Sequence, residues 1–145
     1  MNYPTIAAGS TFAICSTLPA TYTQAGYAAL TFTVVRGVRS VGEVGTQWQT
    51  TTRNDIGLSY SYTKRVGKAA ATLQLEMLRI TDAGQTMLRA AVDAATSYAY
   101  RIVSSDGNTQ YFTAAAISRT QAPITSASLN STNMTLAIDS LIIEV

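Results

Sequence analysis

The chain has 145 residues, with 10 basic and 8 acidic side chains, one cysteine and no histidine. That length supports one domain around one core, and a hydrophobic share of 47 % excludes wholesale disorder. A net charge of +2 without a dense basic stripe excludes a protein built to grip phosphates, and the lone Cys15 excludes an internal disulfide or a cysteine metal cluster.

In chain order, residues 1–9 read as an extended arm held at Pro4. Residues 11–16 form a strand with Phe12 and Ile14 on one face and Cys15 as a buried, inert thiol. Pro19 and Gly26 mark a loop over residues 17–27. In a second strand, residues 30–36, Leu30, Phe32 and Val34 alternate with Thr31, Thr33 and Val35. Gly37, Gly42 and Gly45 punctuate two short pieces before a strand at residues 47–52, whose Trp48 is assigned to the core.

Residues 53–68 follow a different pattern. Arg53-Asn54-Asp55-Ile56-Gly57 reads as a turn, Ser59 to Tyr62 alternate like an exposed strand, and Lys64, Arg65 and Lys68 add three positive charges. A long protruding hairpin or flexible loop between two core strands fits, and connections this long in a compact domain are usually functional.

The most legible stretch comes next. Leu73, Leu75 and Met77 point one way and Thr72, Gln74 and Glu76 the other, the period of two of a half-buried strand. A helix follows over residues 82–95, opened by Asp82 with Gln85 completing a capping box. Met87, Leu88, Ala91, Val92 and Ala95 make its apolar stripe; Gln85, Arg89 and Asp93 lie opposite, with Arg89 and Asp93 spaced to pair. Residues 97–104 form a strand with Tyr98, Tyr100 and Ile102 on one face, turned at Asp106-Gly107-Asn108 into a return strand at residues 109–118. A polar loop over residues 121–131 leads to a last strand, residues 134–144, with Met134, Leu136, Ile138 and Ile142 on one face. The fold class is mainly β: an antiparallel β-sandwich or partly rolled barrel with one flanking α-helix, in a single domain.

Nothing in this pattern calls for catalysis. The commonest base and metal ligand is missing with histidine. The eight carboxylates are scattered, and no serine lies in a nucleophile elbow. Neither a phosphate loop nor a dinucleotide fingerprint is present, so no cofactor or metal is expected. No apolar run approaches the roughly 18 to 20 residues that span a bilayer, so no membrane partner is expected. The first residues lack a signal peptide's basic region, and synthesis in a cytoplasm is the expectation. Only 12 % of residues are charged, about half the ordinary share, so partners are expected to cover part of the surface. Tyr60 and Tyr62 suit either stacking of sugars or bases or, preferably, a protein–protein contact. Lys64, Arg65 and Lys68 suit a nucleic-acid backbone or, preferably, a solvated loop or a salt-bridged neighbouring subunit.

The order of features resembles a known family. Val34-Val35-Arg36-Gly37-Val38 ends one strand, and Gly42-Glu43-Val44-Gly45 leads to another closing with Thr50-Thr51-Thr52. A long loop ending near Gly67 precedes the amphipathic strand, and Asp82-Ala83-Gly84-Gln85 opens the helix. Val103-Ser104-Ser105-Asp106-Gly107, Tyr111-Phe112-Thr113-Ala114 and Ile138-Asp139-Ser140-Leu141-Ile142-Ile143 complete the series. Over residues 28–145 the chain resembles the major tail tube proteins of long, non-contractile-tailed (siphovirus-type) bacteriophages. That resemblance implies a virion protein assembled into hexameric rings stacked as a hollow tube, through which DNA passes on ejection without specific binding. Tape-measure, tail-tip and terminator proteins would be its partners, and the host cytoplasm its place of synthesis.

The sparse charge on the strands fits sheet edges completed by sister copies. A tube lining should be polar and smooth; Thr72, Gln74 and Glu76 suit it, as do Gln47, Gln49 and Thr51 if Trp48 faces the core. Ring contacts fall to the long loop, through Arg53, Asp55, Tyr60, Tyr62, Lys64, Arg65 and Lys68. The alternatives are a carbohydrate- or cell-surface-binding β-sandwich module using Tyr60 and Tyr62, and a related ring or tube such as a tail terminator or a type VI secretion tube.

Overall fold

The computed structural model describes residues 8–68, 71–94 and 96–145. In chain order the elements are β1 (Thr11–Cys15), α1 (Gln24–Ala28), β2 (Thr33–Val35), β3 (Val38–Val41), β4 (Trp48–Arg53), β5 (Tyr62–Lys68), β6 (Ala71–Leu78), α2 (Ala83–Asp93), β7 (Tyr98–Val103), β8 (Thr109–Gln121), β9 (Ser131–Ile138) and β10 (Ile143–Glu144). Eight strands make one antiparallel sheet in the order β2-β1-β7-β8-β9-β6-β3, with β10 beside the start of β8; β4 and β5 pair apart from it.

The sheet's two end strands, β2 and β3, are consecutive in the chain, joined only through Arg36 and Gly37. The sheet must therefore roll until its ends meet. Of the two forms expected, the partly rolled barrel describes it. The roll is sheared: the first half of β8 pairs with β7 and its second half with β9, the stagger that closing a barrel demands. Gly37 turns the corner at φ +81°, a conformation disfavoured for residues with a Cβ.

Alternation is cleanest on β6, whereas most of β1 and the middle of β8 are buried on both faces. Leu73, Leu75 and Met77 of β6 are buried, as are Phe12, Ile14, Tyr100, Phe112, Met134 and Leu136. The rings of Phe12, Tyr100 and Phe112 lie at successive centroid separations of 5.6 Å. Helix α2 lays Leu88 and Ala91 on this core. A smaller cluster gathers Cys15, Tyr27 and Ala99 with Phe32 and Tyr111; the Tyr27 and Tyr111 rings stack at 5.4 Å.

The start of α2 follows half of the capping-box pattern. Asp82 Oδ2 accepts from the backbone N–H of Gly84 and Gln85, and also from that of Arg36. Gln85, expected on the wet face, is instead buried. Its Nε2 donates to the carbonyls of Arg36 and Leu78, both at 2.7 Å, and its Oε1 accepts from Ile80 N–H. It joins the helix to the place where the sheet's ends meet. Gly84 permits that approach, since a Cβ there would lie 2.6 Å from the Val34 carbonyl oxygen. The ion pairs among the described residues are Arg39–Glu76 and Arg53–Asp55, so the expected Arg89–Asp93 pair is not made.

Other expectations are corrected. Residues 17–27 contain the start of a short helix, α1, capped by the Thr23 side chain; five residues are too few to show a helical period. In β2 the buried residue is Val35, which pairs opposite Phe12 in the core, while Val34 is exposed. The return strand β8 runs on to Gln121 past a register shift between Ala116 and Ser118 that leaves Ile117 exposed. The expected last strand is broken at Asp139 and Ser140: β9 ends at Ile138 and β10 pairs with β8 instead. Ala95 and residues 1–7 of the expected arm lie outside the described residues.

Candidate assembly surfaces

Residues 53–68 were expected to form a long protruding hairpin or a flexible loop between core strands. They belong to a two-stranded ribbon, β4–β5, which starts earlier, at Trp48. Its register explains its position. Val41 of β3 faces Leu75 of β6; seven residues along each strand, Trp48 faces Lys68. Gly42 N–H still donates to the Gln74 carbonyl at 2.7 Å. The ribbon therefore keeps the β3–β6 register beyond the sheet's rim, as an arm whose two strands pack chiefly on each other.

No described residue of the arm is buried, which corrects the assignment of Trp48 to the core: it is 44 % exposed. Trp48 shares an arm face with Arg65 and Lys68. The Arg65 guanidinium lies 4.8 Å and the Lys68 ammonium 5.7 Å from the indole centre, so the ring serves as a platform for cations. The opposite face carries Gln49, Thr51, Arg53, Tyr62 and Lys64, by the same register. Asp55 there accepts from Arg53 Nε at 2.6 Å and from the Tyr62 hydroxyl at 3.2 Å. Tyr60 is exposed near the tip, beside a fully exposed Ile56 and a 44 % exposed Leu58. All seven expected contact residues thus lie on one arm, in two clusters plus Tyr60 and Lys64. The arm holds four of the chain's ten cations and one of its eight carboxylates, a net +3, leaving −1 for the remainder.

The six residues expected along a lumen divide. Thr72, Gln74 and Glu76 face away from the core on β6. Across the ladder they meet Ala137, Thr135 and Asn133 of β9, which in turn meet Ala115, Ser118 and Thr120 of β8. The result is a wide polar wall whose one carboxylate, Glu76, is held by Arg39 at 3.5 Å. Gln47 precedes the arm and Gln49 and Thr51 are on it, and with Trp48 exposed they are not the wet side of a half-buried strand.

Edges are open as well. β2 and β3 each have one hydrogen-bonded neighbour, and β2 (Thr-Val-Val) has no charge to discourage pairing. Between them lies a cleft of about 760 Å³ lined by Phe12, Val34, Val38, Val41 and Ile102.

The polar clusters of the body are structural in geometry. Asp139 accepts from the Thr113 hydroxyl at 2.6 Å and from the Ser97 hydroxyl, while Thr113 N–H donates to Ser140 Oγ at 2.9 Å. These bonds tie the break between β9 and β10 to β8. Burial pushes the Tyr27 phenol above its ordinary pKa, offset in part by its hydrogen bond to Ser140. Burial pushes Tyr100 up further, and its hydroxyl has no hydrogen-bond partner among the described residues. No group of three metal-ligating side chains occurs among the described residues.

Sequence reasoning missed Trp48 as a cation platform and the apolar tip. The available signal was the Trp48–Lys68 spacing, legible only by carrying the β6 register backwards through the supposed loop.

No protein-family model matches the chain, and no curated protein sequence does. Solved structures do. A chain of the sheath/tube terminator of an extracellular contractile injection system, PVC, superposes with a TM-score of 0.71 at 14 % identity, covering 99 % of this chain and 98 % of that one. A chain of the PVC sheath–tube complex gives 0.68 at 14 % identity over 99 % and 92 %. The SPP1 tail tube gives 0.64 at 13 % identity over 97 % and 78 %. Contractile injection assemblies and a phage tail tube are both represented, so the likeness does not single out non-contractile tails. What this chain shares with them is the fold, a rolled antiparallel sheet with a flanking helix.

Proposed function

We propose that the chain is a structural subunit of a phage-type tail tube, made in the host cytoplasm and carried in the virion tail. Copies close into rings of six, the rings stack into a hollow conduit, and DNA passes through it without specific contact. Tape-measure, tail-tip and terminator proteins are its further partners; no cofactor and no catalytic step belong to this reading. The observation that carries it is the arm: the ribbon from Trp48 to Lys68 stands off its own body with aromatic, aliphatic and cationic side chains exposed. A chain with so few charges elsewhere gains most by covering such a surface with another copy. Arg53, Asp55, Tyr60, Tyr62, Lys64, Arg65 and Lys68 make the contact between copies. Thr72, Gln74 and Glu76, in a neutralised polar wall, line the lumen; Gln49 and Thr51 join the arm's contacts.

A second reading is a terminator-like single ring, favoured by the superposition on the PVC sheath/tube terminator chain. Electron microscopy of the concentrated protein tests both. Hollow tubes are expected, uniform single rings with a central hole would favour the terminator, and compact solitary particles at every concentration would sink both. Replacing residues 54–61 with a two-residue turn should leave a folded body that no longer polymerises. Normal tubes from that variant would remove the arm's tip, with Asp55 and Tyr60, from assembly.

A further inference from the structure

Two exposed apolar groups lie at opposite ends of β6. Ala71 is its arm end; its far end, Leu78, faces Ser131 at the mouth of the loop between β8 and β9, residues 122–130. On the arm tip Ile56 is fully exposed and Tyr60 66 % exposed; on the loop Ile124 is 73 % and Leu129 68 % exposed. Both groups are electrically quiet. Residues 122–130 contain no charged side chain, and Asp55, the tip's one carboxylate, is neutralised by Arg53. Lys64, Arg65 and Lys68 stand on the paired strand β5, outside the tip. Joining the two surfaces strips water from no unpaired charge, the usual obstacle to burying such ends. The loop is also built: Ser128 N–H donates to the Thr125 carbonyl, and Ser128 Oγ accepts from Thr125 N–H at 3.1 Å.

We propose that the arm tip of one copy docks on the 122–130 loop of the next, with Ile56, Leu58 and Tyr60 against Ile124 and Leu129. This rests on the tube reading and names the receiving surface. Because the two patches differ and lie at opposite ends of a strand, the contact is heterologous: each copy gives one and accepts one, and the chain of contacts propagates.

The test mixes two full-length variants, Ile56→Cys and Leu129→Cys, with the buried Cys15 left in place, and assembles them before brief oxidation. A disulfide-linked dimer is expected from the mixture and from neither variant alone. Assembled particles without that dimer overturn this inference and leave the tube reading standing; a wild type that never assembles overturns both. As a second measurement, Ile56→Asp and Leu129→Asp should each raise the concentration needed for assembly by about tenfold or more with an unchanged thermal melt. The double variant should be little worse than either, since touching partners are non-additive. Unchanged assembly in either single variant, or additive losses, overturns the contact.

Discussion

Strands β5 and β6 lie on one ladder register and behave as different kinds of polypeptide. Leu73, Leu75 and Met77 on β6 are buried, whereas Tyr62, Lys64 and Val66 on β5 are all exposed. Val66 is an aliphatic residue in a strand, like Leu73; the difference is what lies above the strand. β6 has a hydrogen-bonded neighbour on each side and an inner face covered by α2, β1 and β7, while β5 has β4 alone. A two-stranded ribbon is at best marginal on its own. The body thus carries the stability and the arm carries surface, a division that substitutions should expose.

The largest effect belongs on β6. Leu73→Ala, at a fully buried site, should lower unfolding free energy by about 2–5 kcal/mol, read as a shift in urea midpoint. Val66→Ala on the arm should move that midpoint by less than about 0.5 kcal/mol. Comparable losses at the two positions would show that the arm folds against the body after all.

This contrast also sets what was legible in the chain. Burial writes a period into sequence, so β6, β7, the turn at Gly107 and most of α2 stood out. The arm has alternation but no buried face, so its strands read as half loop, and Trp48 was drawn to the core by its size alone. Gln85 was misplaced for a related reason: helical periodicity marks polar residues as outward, whereas this one faces inward to satisfy two carbonyls. For the candidate surfaces, the element that carries each residue is what the chain did not show. The seven contact residues do lie on one element, yet Gln49 and Thr51, expected in a lumen, share an arm face with Tyr62 and Lys64.

Gln85 sharpens the comparison from inside the body. Gln85→Leu keeps the volume but strands the Arg36 and Leu78 carbonyls and the Ile80 N–H, and should cost about 1–3 kcal/mol. Because the damage falls where β2 meets β3, hydrogen exchange should quicken at the N-terminus of α2 and along β3. Exchange on β4 and β5 should not change; a slowing or quickening there would mean that the arm is coupled to the closure.

Tyr100 gives a smaller effect with a pH signature. Its phenol is raised by burial, and unfolded tyrosine ionises near pH 10. Below that pH both states hold the proton and the contribution is complete. As pH rises past 10 the unfolded chain releases the proton first, so stability falls. Tyr100→Phe should flatten that alkaline loss, leaving the part due to Tyr27, whose phenol is also raised. At pH 7 the same change should be neutral or stabilising by up to about 1 kcal/mol, since it deletes a buried hydroxyl without a partner among the described residues. Parallel alkaline losses in the two proteins would mean that the hydroxyl reaches water.

A small effect on folding, and the one that most divides arm from body, is at Trp48. In a core, Trp→Ala costs about 3–5 kcal/mol. Here the ring is 44 % exposed and carries the Arg65 and Lys68 cations on its face, contacts worth about 0.5–1 kcal/mol at an exposed site. Trp48→Ala should therefore melt within a few degrees of the wild type while freeing two cations to move. Trp48→Phe keeps a weaker platform and should fall between the two. Indole fluorescence reads the same site: as the chain's single tryptophan, Trp48 should emit as a solvated ring in the dilute subunit and shift to the blue when copies cover the arm. If the dilute subunit already emits in the blue and Trp48→Ala costs several kcal/mol, the ribbon is part of the core, and the division between a stable body and an adhesive arm is wrong.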